Sequence, residues 1–405
     1  MDNLSHSLVG LAVGELVHRT LPAEADPARH GTRRRLMLVA CCAASNFPDL
    51  DLVLSGLLPQ PLGYLLHHRG HTHTLLYEVP QALLLIALLW ILWPGARTLL
   101  RASNAARAGL LAAVGAGFLL HLGMDALNSY GVHPFYPVDP RWIYGDMVFI
   151  LEPVFWVAGA VPLAMMLGSR IRRGLLLGGL AALLVFFTAR GFLHWGSLIA
   201  LLAFGAGLAL LQQGAGKNGK RALCASLLGA VAFVAMQGAA MQRGKTIVAD
   251  RLRLLDPAST LLDTAMTAFP ANPACWMFVS AERDAVAGTY RMRRGMVSVA
   301  PDVLALDACP AALSEGARER QAQIVINWSQ EMSLARLRAL QAGNCRIDAW
   351  LRFARMPALG PDTGFDVRFS NTPAGNFTTL PIDGANGQPC PGGVPAWGYP
   401  RADLL

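Results

Sequence analysis

Long apolar stretches alternate with short polar ones through the first 243 residues of the chain. Six stretches reach the length that a helix needs to cross roughly 30 Å of hydrocarbon. They are residues 75–93, 108–127, 148–169, 174–190, 193–213 and 222–242. A seventh candidate, residues 36–58, is interrupted by a polar segment, and residues 4–17 form a shorter, amphipathic eighth. The pattern predicts a helical membrane domain over residues 1–243 with seven or eight membrane segments.

The pattern changes after residue 243, where mixed sequence rich in Arg, Asp and Pro replaces the apolar runs. Strand-forming residues concentrate in residues 276–280, 289–299, 345–353 and 365–369, whereas residues 314–340 read as a helix. The Pro- and Gly-rich tail, residues 381–400, is expected to be irregular. The predicted fold class is therefore mainly α, a polytopic helical membrane bundle with an exported α+β domain over residues 244–405.

Composition supports the membrane interpretation. The chain is 54% hydrophobic and only 15% charged, whereas a soluble domain carries about 25% charged residues. Its mean hydropathy is +0.39. Membrane lipids are therefore expected partners.

The distribution of charge predicts the orientation of the chain. Fourteen of the 18 Lys and Arg residues before residue 245 fall into four clusters, located in every second loop. Cytoplasmic loops carry such an excess, so these clusters mark the inside. The net charge of +8 then reflects topology, and residues 245–405, with 16 basic and 15 acidic residues, show no nucleic-acid surface. We expect no nucleic-acid partner.

By this topology the last span delivers residues 245–405 to the outside. Four cysteines lie there, Cys275, Cys309, Cys345 and Cys390. Two disulfides are possible in an oxidising compartment, and the sequence leaves all three pairings open.

Ionisable residues cluster at the ends of the predicted spans on the outer side. His121 and Asp125 share one helix face at i, i+4 spacing, as a pair of metal ligands or as a helix-stabilising hydrogen bond. An ionisable group in a membrane segment costs at least about 2.5–3.5 kcal/mol, which favours a functional role. Residues 67–73 contain four histidines, and their Arg69 offers a cation for an anionic phosphate. Asp49 and Asp51 end the preceding span and repel each other unless a cation lies between them.

His6 lies one helical turn after Asp2, and Asp146 precedes the 148–169 span. The predicted metal ligands are His6, Asp49, Asp51, His68, His73, His121, Asp125 and Asp146. Arg69, Asp51 and His73 are the predicted catalytic residues. Mixed His and Asp ligation suits zinc best, with manganese or iron next. So many ligands imply two or three ions, with a metal-bound water that attacks phosphorus.

Four motifs taken in order resemble a known family. They are Asp2-x3-His6, Pro48-Asp49-x-Asp51, His68-Arg69-Gly70-x-Thr72-His73-Thr74-Leu75 and His121-x3-Asp125, followed by Pro134-Phe135-Tyr136-Pro137. The combination is similar to the bacterial membrane-bound metal-dependent hydrolases, densely from residue 1 to about residue 160. The likeness is fainter around Asn272-Pro273-x2-Trp276. It implies a multi-pass hydrolase of the bacterial inner membrane, with residues 244–405 in the periplasm.

That family in turn resembles the zinc-dependent phospholipase C and single-strand nuclease superfamily. The matching positions are His6, Asp49 or Asp51, His68, and His121 with Asp125. Gly131 stands where the superfamily has its next histidine, and His133 is the nearest one. Asp146 and Glu152 are the only substitutes for a final His-x3-Glu pair. The resemblance thus implies a two-zinc site, with a third ion dependent on those two acids.

The leading hypothesis is a metal-dependent hydrolase of a phosphoester, carried on a lipid or a lipid-linked group. A cation transporter is the alternative, but it should show internal repeats, and the sequence has none that we detect. A structural metal site is a third interpretation, and it predicts closed coordination without a water position.

Overall fold

The computed structural model describes residues 1–216, 219–310, 319–321, 323–382 and 388–405. Its helices are α1 (Asn3–Thr20), α2 (Pro27–Ala44), α3 (Asp51–Ser55), α4 (Leu62–His67), α5 (Leu75–Leu92), α6 (Pro94–Ala102), α7 (Asn104–Ala126), α8 (Pro153–Met165), α9 (Arg170–Ala189), α10 (Trp195–Ala215), α11 (Arg221–Leu255), α12 (Leu334–Gly343) and α13 (Cys345–Leu351). Its strands are β1 (Thr260–Phe269), β2 (Asn272–Asp284), β3 (Thr289–Ser298), β4 (Glu319–Gln321), β5 (Ile324–Ser333), β6 (Pro357–Leu359), β7 (Thr363–Asp366) and β8 (Leu380–Pro381). The predicted fold class, mainly α with a C-terminal α+β region, is confirmed.

Among the described residues, five helices are long and apolar enough to cross a membrane: α5, α7, α9, α10 and α11. They correspond to five of the predicted spans, although α11 continues to Leu255. The predicted span 148–169 is wrong in its length, because α8 has only 13 residues. Its start is set by Pro153 at the first helical position and by Glu152, whose carboxylate accepts a hydrogen bond from the Val154 amide.

The predicted span 36–58 is a bent pair of helical segments. Pro27–Ala44 and Pro48–Ser55 meet at an angle of 52°, and they count as a sixth span only if taken together. Pro48 disfavours helical backbone at Phe47, and α2 ends before that residue, at Ala44. The bend places Asp49 at the start of the second segment, in a single 3-10 turn.

One compact unit consists of Met1–Leu50, Thr72–Asn128 and Val148–Met236. Helix α1 packs against α2, α7 and α8, and α2 also packs against α7. Two glycines permit this close packing. A Cβ at Gly14 would lie 2.6 Å from the Met37 carbonyl oxygen, and one at Gly117 would lie 2.7 Å from the Cys41 carbonyl oxygen. Larger residues at these positions would push the helices apart.

The other compact unit consists of Asp51–His71, Ser129–Met147 and Gln237–Leu405. It contains a five-stranded antiparallel sheet in the order β1-β2-β3-β5-β4 and a three-stranded sheet in the order β6-β7-β8. Helices α4, α12 and α13 contribute to a core built around Trp350 and Trp397.

Two secondary-structure predictions in this unit are wrong. Residues 314–340 were expected to be helical, yet β5 occupies Ile324–Ser333 and helix α12 begins only at Leu334. Pairing with β3 buries the first residues of β5, which favours a strand over a helix. Residues 345–353 were expected to form a strand, but α13 forms there because the Asn344 side chain caps its first turn. Residues 314–318 lie outside the described part of the chain.

The structure selects one of the three disulfide pairings. Cys275 is bonded to Cys309 and Cys345 to Cys390, with Cα–Cα distances of 5.8 and 5.6 Å. In the tail predicted to be irregular, residues 388–400 have no regular element, as predicted, whereas Pro381 belongs to strand β8.

Candidate metal centre

His121 presents one ring nitrogen to a buried cluster because its other nitrogen is anchored. The Nδ1–H group donates to the main-chain carbonyl oxygen of Ser45, just beyond the end of α2, at 2.7 Å. A carbonyl oxygen can only accept, so Nδ1 carries the proton. In a neutral imidazole the Nε2 atom then carries a lone pair, which is the form that binds metal.

His73 is anchored in a similar way from a different segment. It ends the single 3-10 turn His71–His73, and its Nδ1 lies 3.0 Å from the Thr72 hydroxyl. A hydroxyl can donate or accept, and where Nδ1 is the donor, Nε2 again carries a lone pair. The two Nε2 atoms of His73 and His121 are 3.0 Å apart. Two lone pairs at that distance repel each other unless a cation or a proton lies between them.

Two carboxylates complete the cluster. Asp49 Oδ1 lies 3.5 Å from His73 Nε2 and 3.8 Å from His121 Nε2. Asp125 Oδ2 lies 3.3 and 3.8 Å from the same two nitrogens. Four donors at 2.0–2.1 Å from a tetrahedral zinc ion would be about 3.3 Å from one another. The spacing of these four atoms, all within 4.8 Å of one another, therefore fits one ion.

His6 contacts the second carboxylate oxygen of Asp125, Oδ1. Its Nε2 is 3.2 Å from Asp125 Oδ1, and its ring stacks on His121 with centroids 4.2 Å apart. The amino group of Met1 also contacts Asp125 Oδ1. Within the described chain, the buried Nδ1 of His6 has no hydrogen-bond partner. The side chains of His6, His73, His121 and Asp125 are fully buried.

Three other predicted site residues form a group of their own in the second unit. Asp51 Oδ1 lies 2.9 Å from His68 Nδ1, and Asp51 Oδ2 accepts a hydrogen bond from the Arg69 amide at 3.1 Å. Arg69 has a φ of 55°, in the left-handed region that non-glycine residues rarely adopt. Its guanidinium lies 4.8 Å from the centre of the Tyr130 ring. Asp51 thus orients His68 and fixes the turn that carries Arg69.

Asp146, predicted as a metal ligand, has cationic partners within the second unit. Its Oδ1 accepts from Arg355 at 2.8 Å, and its Oδ2 accepts from Arg355 at 3.0 Å and from Lys245 at 3.1 Å. Both oxygens are thus neutralised by protein cations. We therefore leave Asp146 out of the proposed ligand set.

The sequence did not indicate the two groups that orient the imidazoles. Ser45 acts through its main-chain carbonyl, so no side-chain signal marks it. Thr72 is adjacent to His73 in the sequence, and a hydroxyl beside a predicted ligand is a signal that could have found it. Such partners of ligating histidines fix the tautomer and ring orientation.

Membrane-length helices and a buried His/Asp cluster together define a polytopic membrane protein with a candidate metal centre. Residues 1–195 match the family model described as YdjM inner membrane protein. Over 164 residues the chain is 26% identical to a Bacillus subtilis (strain 168) protein described as "Uncharacterized protein YfhP". That alignment covers 40% of this chain and 46% of the relative. The chain thus spans about half the length of the curated relative it matches.

The family match includes every residue of the cluster. With the apolar helices, it supports a bacterial inner-membrane protein. No solved structure matches the chain. The comparisons give no support to the likeness to the zinc-dependent phospholipase C and nuclease superfamily.

Proposed function

We propose that the chain is a membrane-bound hydrolase that holds a divalent metal ion at Asp49, His73, His121 and Asp125 and cleaves a phosphoester. The observation that carries the proposal is the 3.0 Å approach of two imidazole Nε2 atoms, flanked by two carboxylates. A proton could bridge the two rings, but its single positive charge would not balance the two buried carboxylates. A metal ion satisfies all four groups together.

The nature of the donors favours zinc, with manganese or iron next. Four protein donors fill a tetrahedral zinc ion, so hydrolysis requires a fifth coordination position. There, the ion would lower the pKa of a water molecule to about 7 and stabilise charge on a phosphoryl oxygen. The protein holds the imidazoles in their binding tautomer through Ser45 and Thr72 and excludes bulk water by burial. These four donors account for one ion. His6 Nε2 lies 3.2 Å from Asp125 Oδ1, the oxygen that the Met1 amino group also contacts.

The substrate class follows from where the donors lie. His121 and Asp125 belong to α7, a membrane-length helix, and His73 lies two residues before α5, another such helix. A phosphoester on a lipid or a lipid-linked group can reach a site at that depth from within the bilayer. Arg69 remains the residue that the sequence predicts to hold the phosphate.

We also propose that the second unit lies in the periplasm. Its two disulfides, Cys275–Cys309 and Cys345–Cys390, support an oxidising compartment. The orientation predicted from the Lys and Arg clusters also puts residues 245–405 outside the cytoplasm. A cysteine-labelling or reporter-fusion experiment at the C-terminus tests the side of the membrane directly.

The function is tested on the full chain, purified in detergent. Elemental analysis should find bound zinc or a similar metal, and a chelator should remove both the metal and phosphoester hydrolysis. Asp125→Asn should weaken metal binding by more than the roughly 10–100-fold that the loss of an outer-shell partner costs, because it removes a charged ligand. Asp302→Asn, at an exposed acid, is the matched control and should retain metal and activity. A metal-free protein that zinc does not activate would refute the proposal.

Four protein donors at tetrahedral spacing, three of them completely buried, also favour a rival, a structural metal site. The same preparation separates the two. Stoichiometric metal lost with Asp125→Asn, no turnover on phosphoesters or lipid extract, and unfolding on chelation would establish the structural role.

A further inference from the structure

An apolar groove of about 420 Å³ lies in the first unit, between helices α1, α7, α8 and α11. Nearly all of its lining is hydrocarbon. The one hydroxyl in the lining, that of Ser226, already donates to the Leu223 carbonyl oxygen of its own helix at 2.9 Å. The groove therefore offers nothing to a polar ligand and suits an apolar one.

The groove borders the helical turns that carry the metal-centre donors. On α1, Val9 lines it one turn after His6. On α7, Gly123 and Met124 line it, between His121 and Asp125 in the sequence. The groove therefore starts at the depth of the cluster. Along α11 the lining runs from residue 226 to residue 235, a rise of about 13 Å.

We propose that this groove holds one hydrocarbon chain of a lipid substrate while the head of the lipid lies at the metal centre. This inference rests on the proposed function and deepens it, since it makes the substrate an acyl lipid. The volume argues against another helix as the occupant. One helical turn, about 10 Å wide and 5.4 Å long, already fills about 420 Å³. A single hydrocarbon chain is thinner and can follow the groove.

Gly123 is the position at which to block the groove. A Cβ built there meets no atom within 4 Å, so Gly123→Leu projects into open space without a backbone clash. Gly115, on the same helix but outside the groove lining, is equally open. Gly115→Leu is therefore a matched control for adding the same side chain to α7.

The first measurement compares dioleoyl and dibutyryl phosphatidic acid as substrates. Gly123→Leu should lower kcat/KM for the long-chain substrate at least about tenfold, because each displaced methylene contributes to binding. It should leave the short-chain substrate unchanged. Gly115→Leu should leave both unchanged. Equal effects of Gly123→Leu on both substrates, or no effect on either, would contradict the proposal that the groove binds a hydrocarbon chain.

The second measurement does not need hydrolysis. Phosphatidylethanolamine vesicles doped with a phosphatidic acid that carries a diazirine on its acyl chain are irradiated with the full-length protein. Cross-links should map to the groove faces of α7 and α11 and should be lost in Gly123→Leu alone. Cross-links elsewhere, or undiminished ones, would overturn the inference. Labelling of the groove without any phosphoesterase activity would support the lipid-binding groove but contradict the proposed hydrolase function.

Discussion

The chain buries acidic side chains in two regions, and it neutralises them differently. In the second unit, Asp146 and Asp263 flank the guanidinium of Arg355, and Asp366 pairs with Arg368 at 2.7 Å. In the first unit, Asp49 and Asp125 lie against the imidazoles of the cluster. The first arrangement is a set of ion pairs between protein groups. The second consists of donors that converge on a common point.

The difference separates structural acids from ligating ones. A guanidinium is always charged and gives its acid a permanent partner. A neutral imidazole whose Nδ1–H is engaged elsewhere turns a lone pair toward the acid. That arrangement needs further positive charge, of which the Met1 amino group on Asp125 Oδ1 supplies one and a bound metal ion would supply the rest. Burial alone does not identify a metal site, because both regions are buried. The type of partner does.

The largest expected effect is in the ion-paired region. Arg355→Met removes the cation that buried Asp146 shares with partly buried Asp263, although Lys245 and Arg401 remain beside the two acids. It should reduce the free energy of unfolding by about 3 kcal/mol. Guanidinium denaturation in detergent, followed by tryptophan fluorescence, measures the change. Metal content should stay at the wild-type level. Arg141→Met, at an exposed Arg–Asp pair, is the control and should not shift the midpoint.

A loss of metal in Arg355→Met without a loss of stability would contradict the distinction between ion-paired and metal-ligating acids. It would mean that the ion-paired region supports the cluster and that the type of partner does not distinguish the two.

The next effect concerns the metal alone. Thr72→Val keeps the shape of the side chain but removes the hydroxyl that orients His73, and it should weaken zinc affinity about 10–100-fold. Competition with a chromogenic chelator measures it. Thr72→Ser retains the hydroxyl and should retain most of the affinity. Equal losses in both variants would show that packing of the threonine methyl, rather than the hydrogen bond, matters.

The smallest effect is a pH dependence of the ion-paired region. Burial raises the pKa of Asp263, but the Arg355 guanidinium outweighs it and brings that pKa to about 2. A carboxyl with a lowered folded pKa stabilises the fold above its ordinary pKa of about 3.9. This contribution, on the order of 2 kcal/mol, is lost as the pH falls from about 4 to about 2.

Denaturation midpoints measured across that range should therefore fall more steeply for the wild type than for Asp263→Asn. Parallel curves would show that Asp263 contributes no acid-sensitive stability.

Sequence patterns anticipated the parts that depend on local periodicity. The apolar run of α7 predicted a helix, and the i, i+4 spacing then placed His121 and Asp125 on one face, where the structure has them. Arg355 lies 209 residues from Asp146 in the sequence. No local sequence pattern indicates that ion pair. Asp146 was therefore predicted to be a metal ligand. Strand β5 was missed although Ile324, Val325 and Ile326 favour a strand. Its pairing with β3, which the sequence does not display, agrees with that propensity.

The carbonyl of Ser45 has a consequence for mutational scans. Because the main chain rather than the side chain holds His121, replacing residue 45 with alanine should leave the centre intact, and the position would be scored as dispensable. A substitution that relocates the end of α2, such as Pro48→Ala, should disturb His121 without altering any predicted ligand. Tolerance at a position is therefore a poor guide to what the backbone does there.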